Sequence, residues 1–201
     1  MDQARSKNGT DAPRVGSIIL ARHGRPEADR AQLLTWREYI DWWAGYDRAS
    51  LSDGQTPPDI LHAAAGEADV IFASTLPRAI ATAEAVAGGK PIARDDIFIE
   101  AALPPPAIWG KRNARSWGVW ARISWWLGNH GGMETREAAE LRAEAAAAAL
   151  TARALRGENV ALFGHGWFNR MLRPVLKRQG WKCVYDGGDS YWSFRKYEKV
   201  R

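Results

Sequence analysis

The chain has 201 residues, of which 46% are hydrophobic, and this is enough for one domain with a substantial core. Its formal net charge is +5 at pH 7, and no apolar stretch of the sequence is long enough to cross a bilayer. Because Cys183 is the only cysteine and no Cys, His and acidic residues stand at metal-ligand spacing, we expect a cytoplasmic protein without a disulfide, a metal ion or another cofactor.

The first predicted element is a buried strand that ends in an Arg-His-Gly tripeptide. Residues 1–16 are polar and charged and contain no apolar signal segment, so we expect them to form a disordered tail. Residues 17–21 form a short, β-branched apolar run that is typical of a buried strand, and Arg22-His23-Gly24 follows it directly. Open α/β sheets bind ligands beyond the carboxyl ends of their strands, which makes this tripeptide a candidate site.

Two further strands are predicted to end in comparable residues. Residues 69–73 precede Ser74-Thr75-Leu76-Pro77-Arg78, and residues 159–163 precede Gly164-His165-Gly166. Because parallel strands bring their carboxyl ends to one edge of a sheet, two histidines and two arginines would meet there. Such a set of side chains can bind and attack a phosphoryl group.

The segments between these strands have helical patterns. Leu33, Trp36, Ile40 and Trp43 recur with the helical period, which predicts a helix whose apolar face lies against the core. Further helices are predicted over residues 56–65, 77–87, 134–156 and 167–179, and further strands over residues 91–99 and 190–197. Five strands that alternate with helices predict a single domain over residues 17–201, folded as an α/β three-layer α/β/α sandwich with a mainly parallel central sheet.

Residues 102–133 interrupt this alternation, and we interpret them as an insertion over the site, part coil and part helix. They contain Pro104-Pro105-Pro106, five tryptophans and four basic residues, with no acidic residue between Lys111 and Arg122. The tryptophans would pack a small core or line a pocket for a hydrophobic or ring-bearing phosphate ester. A membrane-surface or single-stranded nucleic-acid contact through the arginines is the least favoured interpretation.

The ordered motifs resemble the histidine phosphatase superfamily, in the branch that includes cofactor-dependent phosphoglycerate mutases and many small phosphatases. The resemblance extends from about Ser17 to the C-terminus and implies a phosphoglycerate mutase-like fold. It is carried by Arg22-His23-Gly24, Leu51-Ser52-Asp53-Gly54, Ser74-Thr75-Leu76-Pro77-Arg78-Ala79, Thr82-Ala83-Glu84, Gly131-Gly132-Met133-Glu134-Thr135 and Gly164-His165-Gly166.

His23 is the candidate nucleophile. A neutral imidazole can attack phosphorus, and the resulting phosphoramidate divides the transfer into two steps. Arg22 and Arg78 offer planar donor forks to the phosphoryl oxygens, and their charges disfavour the imidazolium form of His23. The resemblance implies that His165 hydrogen-bonds the phosphoryl group opposite His23.

A leaving alkoxide needs a proton, and two glutamates are candidates to donate it. In this family an acidic residue follows the third strand, and Glu100 occupies that place. Glu134, at the Gly-Gly-x-Glu position, is the alternative donor, although it could equally stabilise the start of a helix. Position favours Glu100.

The chain departs from the family at several positions. Many relatives have Thr and Asn three and six residues after the nucleophile, where this chain has Pro26 and Asp29. An aspartate lacks an amide donor for phosphate and repels it. Residues 101–106 also replace the Gly-x-Trp-Glu-Gly-like segment that usually follows the acid in phosphoglycerate mutases. These departures favour a phosphatase over a mutase.

We therefore predict a metal-independent phosphatase that hydrolyses a phosphomonoester through a phosphohistidine intermediate. A small-molecule phosphate ester is the expected partner, rather than nucleic acid or a membrane surface. Residues 170–201 carry nine basic and three acidic side chains, which we interpret as a solvated basic face. Two alternatives remain open, namely a protein phosphohistidine phosphatase and a non-catalytic phosphate-binding protein of the same fold.

Overall fold

A six-stranded sheet forms the centre of the protein, for which a computed structural model describes residues 14–200. Four of its strands are parallel, and two more at one edge are antiparallel, in the order β4-β3-β6-β1-β8-β7. Two short strands, β2 and β5, pair separately. In chain order the strands are β1 (Ile18–Arg22), β2 (Leu33–Leu34), β3 (Val70–Ala73), β4 (Ile92–Arg94), β5 (Arg112–Asn113), β6 (Val160–Gly164), β7 (Trp181–Asp186) and β8 (Phe194–Lys199).

Six α-helices flank or cap this sheet, and a short 3₁₀ helix, Asp96–Phe98, follows β4. The α-helices are α1 (Trp36–Arg48), α2 (Asp59–Gly66), α3 (Pro77–Val86), α4 (Ala114–Trp126), α5 (Arg136–Ala154) and α6 (Gly166–Arg178). Within the part of the chain that the structure describes, none of these helices is both long and apolar enough to cross a membrane.

Side-chain alternation along the strands sorts the core into two layers. In β1, Ile18 and Leu20 pack with residues of α5 and α6, whereas Ile19 and Ala21 pack on the opposite face with residues of α2 and α3. Both faces of β1 are covered, as expected for a strand in a parallel sheet, and four of its five residues are apolar, Arg22 being the exception. The predicted three-layer α/β/α sandwich is therefore confirmed.

A third apolar cluster joins α1 to α4, the helix of the tryptophan-rich insertion. Trp117 and Trp125 of α4 are fully buried in it and pack near Tyr39 of α1. Their indole N–H groups donate to the backbone oxygens of Leu34 and Glu134, at 2.7 and 2.9 Å. The insertion is thus fixed to the domain by its own small core.

Two predicted elements differ in the structure, and one strand was not predicted. The helix predicted from the apolar pattern that starts at Leu33 begins only at Trp36, as α1. Its buried face consists of Tyr39 and Tyr46, while Ile40 is exposed. Residues 91–99 form only the short β4, because Asp95 accepts a hydrogen bond from the N–H of Ile97 and turns the chain into the 3₁₀ helix. Strand β7, which the sequence analysis missed, is exposed along most of its length.

The predicted N-terminal tail lies outside the described residues except for residues 14–16. Gly16 is buried there, and its N–H donates to the backbone oxygen of Ala154 at 2.8 Å. A Cβ at Gly16 would lie 1.9 Å from the backbone oxygen of Glu158, so this close approach requires glycine.

Candidate active site

The register of the sheet brings the two predicted site histidines together. Strands β1 and β6 pair in parallel, with Arg22 opposite Gly164, so the next residues, His23 and His165, leave the sheet side by side. The N–H of His23 donates to the backbone oxygen of Gly164 at 3.0 Å. The two imidazole rings are buried, with their centroids 5.2 Å apart.

The His23 ring is held in one tautomer. Its Nδ1 lies 2.7 Å from the backbone oxygen of Gly24, and a carbonyl oxygen can only accept, so Nδ1 carries the proton. Nε2 then keeps its lone pair. Burial, followed by the charges of Arg78 and Arg22, lowers the pKa of His23 well below its ordinary value. The ring is consequently neutral at pH 7 and has the electronic form of a nucleophile.

The ring of His165 is positioned by a hydrogen bond to the residue that follows strand β3. Its Nε2 lies 2.8 Å from Oγ of Ser74, the residue that directly follows β3. Ser74 Oγ accepts from the N–H of Leu76, so its own proton can be donated to Nε2, an arrangement that leaves the ring proton on Nδ1. Nδ1 is buried and has no partner among the described residues. Burial, then Arg78 and His23, lowers the pKa of His165 well below its ordinary value.

Arg22 and Arg78 are close enough to the two histidines for their charges to act on both rings. Arg22 donates to the backbone oxygen of Asp189 and lies over the ring of Tyr191, 4.3 Å from its centroid. A Cβ at Gly166 would come within 3.2 Å of Arg22 Nε, so a glycine at that position leaves space for the guanidinium. Within residues 14–200, the buried Nε atoms of Arg22 and Arg78 both lack a hydrogen-bond partner.

Arg78 is fully buried and is held by two residues of α1. Its guanidinium donates to the backbone oxygen of Tyr46 at 2.9 Å and to Asp47 at 3.1 Å. Proline at position 77 begins α3, as expected for the first turn of a helix, and thereby places Arg78 beside the end of β3.

The loop after His23 is packed too closely to accept any residue but glycine at position 24. A Cβ there would lie 2.4 Å from the indole of Trp192. The N–H of Gly24 donates to Thr82 Oγ1 at 2.9 Å, which ties the loop to α3. Trp192 itself has a φ of 63°, a left-handed conformation that is uncommon for a bulky residue.

Glu100 and Glu134 have different surroundings. The Glu100 carboxyl group accepts hydrogen bonds from the backbone N–H groups of Trp167 and Phe168, at 3.2 and 2.8 Å, in the first turn of α6. Glu134 instead binds Arg142 through both oxygens, at 2.7 and 2.8 Å. Glu100 lines the same cavity as His23, whereas the Glu134 carboxylate is directed to the Arg142 guanidinium.

Two of the positions that depart from the family have partners other than the site histidines. Pro26 forms a β-bridge with Leu51, and Asp29 is exposed, with its carboxylate accepting from the N–H of Ala31 at 2.8 Å. Arg30, the next residue, lines the cavity and donates to the hydroxyl of Tyr191 at 2.9 Å. The repulsion expected from Asp29 is therefore offset by a neighbouring cation that the sequence analysis missed.

Arg22, His23, Arg30 and Glu100 line a cavity of about 160 Å³. It lies between the ends of β1 and β6 on one side and helices α1 and α4 on the other. Arginines dominate its charged lining, and its two acidic residues are Glu100 and Asp189. It is lined by Arg22, His23, Arg30, Trp42, Trp43, Tyr46, Glu100, Ala114, Gly118, Arg122, Gly166, Trp167, Arg170 and Asp189.

Asp189 anchors this arginine-rich wall. Its carboxylate binds Arg170, Arg173 and Arg195. Although burial acts to raise it, these hydrogen bonds hold the pKa of Asp189 well below its ordinary value. Among residues 14–200, no group of three or more His, Cys, Asp or Glu is arranged to hold a metal ion.

The fold is shared with solved structures of low sequence identity. The protein named mycobacterial hydrolase 2 is 21% identical, with 91% of this chain and 82% of that chain covered and a TM-score of 0.59. A mycobacterial glucosyl-3-phosphoglycerate phosphatase bound to VO3 is 20% identical, with coverages of 90% and 92% and a TM-score of 0.58. A phosphoserine phosphatase from Entamoeba histolytica is 15% identical, with coverages of 90% and 89% and a TM-score of 0.53.

No curated protein matches the chain significantly. A family model does match it, over residues 61–182, which is more than half of the chain. The match begins after Arg22 and His23, and the pairing of β1 with β6 connects those two residues to the matched part. On the sequence match and the shared fold together, the chain belongs to the histidine phosphatase superfamily, branch 1.

Proposed function

We propose that the protein is a phosphatase that hydrolyses a small phosphomonoester through a phosphohistidine on His23. The observation that carries this proposal is the pair of buried, neutral imidazoles, whose ring centroids lie 5.2 Å apart. In this pair, Nε2 of His23 is unprotonated. The pair lies beside Arg22 and Arg78, whose buried Nε atoms have no hydrogen-bond partner in the described part of the chain. The phosphatases among the solved relatives support the same reaction class.

In the first half-reaction, His23 Nε2 attacks phosphorus and the bond from phosphorus to the ester oxygen breaks. Arg22, Arg78 and His165 bind the phosphoryl oxygens, where negative charge concentrates in the transition state. Glu100 donates a proton to the leaving oxygen, so an alcohol departs rather than an alkoxide. The products of this step are phospho-His23 and the free alcohol.

In the second half-reaction, water attacks phospho-His23. Glu100, now ionised, takes a proton from the water, and the bond between phosphorus and nitrogen breaks. Inorganic phosphate leaves, and both His23 and the protonated Glu100 are restored. Asp189 is bound by three arginines, which leaves Glu100 as the acidic side chain of the cavity lining that can serve as the acid.

Trapping the intermediate tests the proposal. During turnover of p-nitrophenyl phosphate, alkaline quench should give protein carrying one phosphoryl group, detected by intact mass, and acid should remove it. The group should disappear in His23→Ala and persist in His62→Ala, because His62 is an exposed histidine on α2.

Three outcomes separate the alternatives. An acid-stable phosphoryl group, or one that remains in His23→Ala, would contradict the assignment of His23. Turnover of a phosphohistidine peptide but of no ester would favour the protein phosphohistidine phosphatase. Binding of phosphate without turnover of either substrate class would favour the non-catalytic phosphate-binding protein.

A further inference from the structure

The cavity extends from the histidines toward α4, where it has a second group of cationic and polar side chains. Arg122 of α4 and Arg30 of the loop after β1 both line this part. Residues 101–133, which include α4, contain no Asp or Glu. The insertion therefore contributes only positive charge to the cavity.

Arg122 is partly buried without a compensating anion. None of the ion pairs found among residues 14–200 involves Arg22, Arg30 or Arg122. The Nε atoms of Arg30 and Arg122 are buried and have no hydrogen-bond partner in the same part of the chain. Guanidinium groups that are withdrawn from water and close to one another are unfavourable unless an anion joins them.

The pKa of Arg122 also indicates that its guanidinium is not compensated by an anion. Burial lowers its pKa from the ordinary value, and the like charges of Arg170 and Arg30 act in the same direction, against attraction by Glu100. The two acidic side chains of the cavity are already engaged, since Glu100 accepts from α6 and Asp189 binds three arginines. The cations are the groups that still need a partner.

Two further buried donors lie on this side of the cavity. The Tyr39 hydroxyl and Trp167 Nε1 are buried and lack a partner among the described residues. Trp167 lines the cavity, and a Cβ on Gly118, another lining residue, would lie 3.5 Å from Tyr39 Oη and 4.0 Å from an Arg122 Nη. Buried polar groups are nearly always hydrogen-bonded in proteins, so several unpartnered donors together indicate a ligand that supplies acceptors.

Seven of the unpartnered donors thus fall into two groups, one near His23 and one near Arg122. The first surrounds His23 and includes Arg22 Nε, Arg78 Nε and His165 Nδ1, and the second includes Arg30 Nε, Tyr39 Oη, Arg122 Nε and Trp167 Nε1. Trp42, Trp43 and Tyr46 stack along the wall of the same cavity, with Trp42 and Tyr46 at 5.2 Å between ring centroids. One phosphoryl group can satisfy the first group of donors but leaves the second without acceptors.

We propose that the substrate carries a second anionic group, a carboxylate or another phosphate, which binds to Arg122 and Arg30 while the scissile phosphoryl group binds to Arg22 beside His23. This proposal rests on the proposed phosphatase function and names its substrate class. The part of the substrate between the two anions packs against Trp42, Trp43 and Tyr46. Arg122 is then a specificity-determining residue supplied by the insertion.

Matched pairs of esters test the proposal and distinguish the two kinds of anion. The carboxylate arm compares 4-carboxyphenyl phosphate with phenyl phosphate, and the phosphate arm compares propane-1,3-diol bisphosphate with 3-hydroxypropyl phosphate. In at least one arm the doubly anionic member should have a kcat/KM higher by about 10- to 100-fold, the scale of a charged hydrogen-bonded contact. Equal values within both pairs would overturn the proposal.

Substitution locates the effect. Arg122→Gln should remove most of that preference, because it should lower kcat/KM for the doubly anionic member much more than for the singly anionic member. Arg115→Gln is the matched control, since Arg115 lies on the same helix and is exposed. A preference that survives Arg122→Gln, or an equal loss on both esters, would contradict the role of Arg122.

A binding measurement separates this proposal from the proposed chemistry. In a His23→Ala background, where turnover is not required, calorimetry should show that the doubly anionic ester binds at least about 10-fold more tightly than its partner. Arg122→Gln in that background should abolish the difference. If the difference appears without any turnover by the native enzyme, the phosphatase proposal fails and the anion subsite stands; if turnover occurs without the difference, the reverse holds.

Discussion

The carboxyl group of Glu100 has two roles open to it. It accepts hydrogen bonds from the N–H groups of Trp167 and Phe168, which stabilises the start of α6, and it lines the cavity that contains His23. A proton donor and a helix cap respond differently to the basicity of the leaving group. Loss of a cap affects all substrates alike, whereas loss of an acid affects the poorest leaving group most.

We expect Glu100→Gln to slow hydrolysis of an alkyl phosphate by about 100-fold or more, the usual scale of general acid catalysis. The same variant should slow p-nitrophenyl phosphate much less, because that phenolate leaves without protonation. Values of kcat on the two esters give the comparison. Glutamine keeps an oxygen that can still accept from the first turn of α6, so the helix start is preserved.

Glu134→Gln is the control for this experiment. Glu134 binds Arg142, and its substitution should leave the ratio of the two rates unchanged. An equal loss on both esters in Glu100→Gln would assign Glu100 to the helix start alone. A selective loss in Glu134→Gln would transfer the acid to that position.

The residues that follow buried strands could be located from the sequence, and those that enter the cavity from irregular segments could not. His23, Ser74 and His165 follow the apolar runs of β1, β3 and β6, and main-chain pairing alone brings such positions together. Arg30 and Arg122 reach the cavity only through the side-chain directions of a loop and of an inserted helix. No period in the sequence encodes those directions.

Helix α4 shows how the tryptophans of the insertion divide between packing and surface. Trp117 and Trp125 are buried, whereas Trp109 is 97% exposed and Trp120 and Trp126 are about half exposed. The buried pair, Trp117 and Trp125, supports the interpretation that the insertion packs a small core of its own. Because Gly118 and Arg122 lie on the same helix, the packing of Trp117 also fixes the wall of the cavity.

Trp117→Ala should lower the free energy of unfolding by about 3 to 5 kcal/mol, the usual cost of removing a large buried aromatic side chain. It also leaves the backbone oxygen of Leu34 without its indole donor. Denaturation by urea, followed by circular dichroism, measures the change. Trp109→Ala should alter the same free energy by less than about 0.5 kcal/mol, because Trp109 is exposed, and similar losses in both variants would contradict the assigned packing.

The elements that the sequence analysis misjudged lack a one-sided apolar pattern. The buried face of α1 is built from Tyr39 and Tyr46, whose hydroxyls make them weak signals in an apolar count, so the predicted face was rotated. Strand β7 pairs only with β8 at the edge of the sheet, and its side chains are mostly exposed. The strong helices and central strands were predictable because burial imposes their periods.

For the molecule as a whole, the buried histidines couple stability to pH. The pKa of His23 and that of His165 are both lowered by burial, so the folded protein leaves both rings neutral where the unfolded chain protonates them. The two rings therefore leave the free energy of unfolding unchanged above the unfolded histidine pKa of about 6.5. As pH falls below that value, the unfolded chain gains protons that the folded protein does not, and the free energy of unfolding decreases. Each ring contributes a slope of up to about 1.4 kcal/mol per pH unit in that range.

We therefore expect the melting temperature to fall steadily from pH 7 to pH 5, in scanning calorimetry at constant ionic strength. His165→Gln should flatten that slope, whatever its effect on the melting temperature at pH 7. His62→Gln should leave the slope unchanged, since His62 is exposed. A slope that is identical in all three proteins would show that the buried rings do not set the acid limit.

The pairing of β1 with β6 also has a consequence for synthesis of the chain on the ribosome. Residues joined across these strands, such as Ser17 and Asn159, are 142 positions apart, and His23 and His165 have the same separation. At ribosomal rates His23 is synthesised roughly 7 to 30 s before His165 exists. During this interval the apolar residues of β1 lack their neighbouring strands, β6 and β8. The candidate active site is therefore assembled only when nearly the whole domain has been translated.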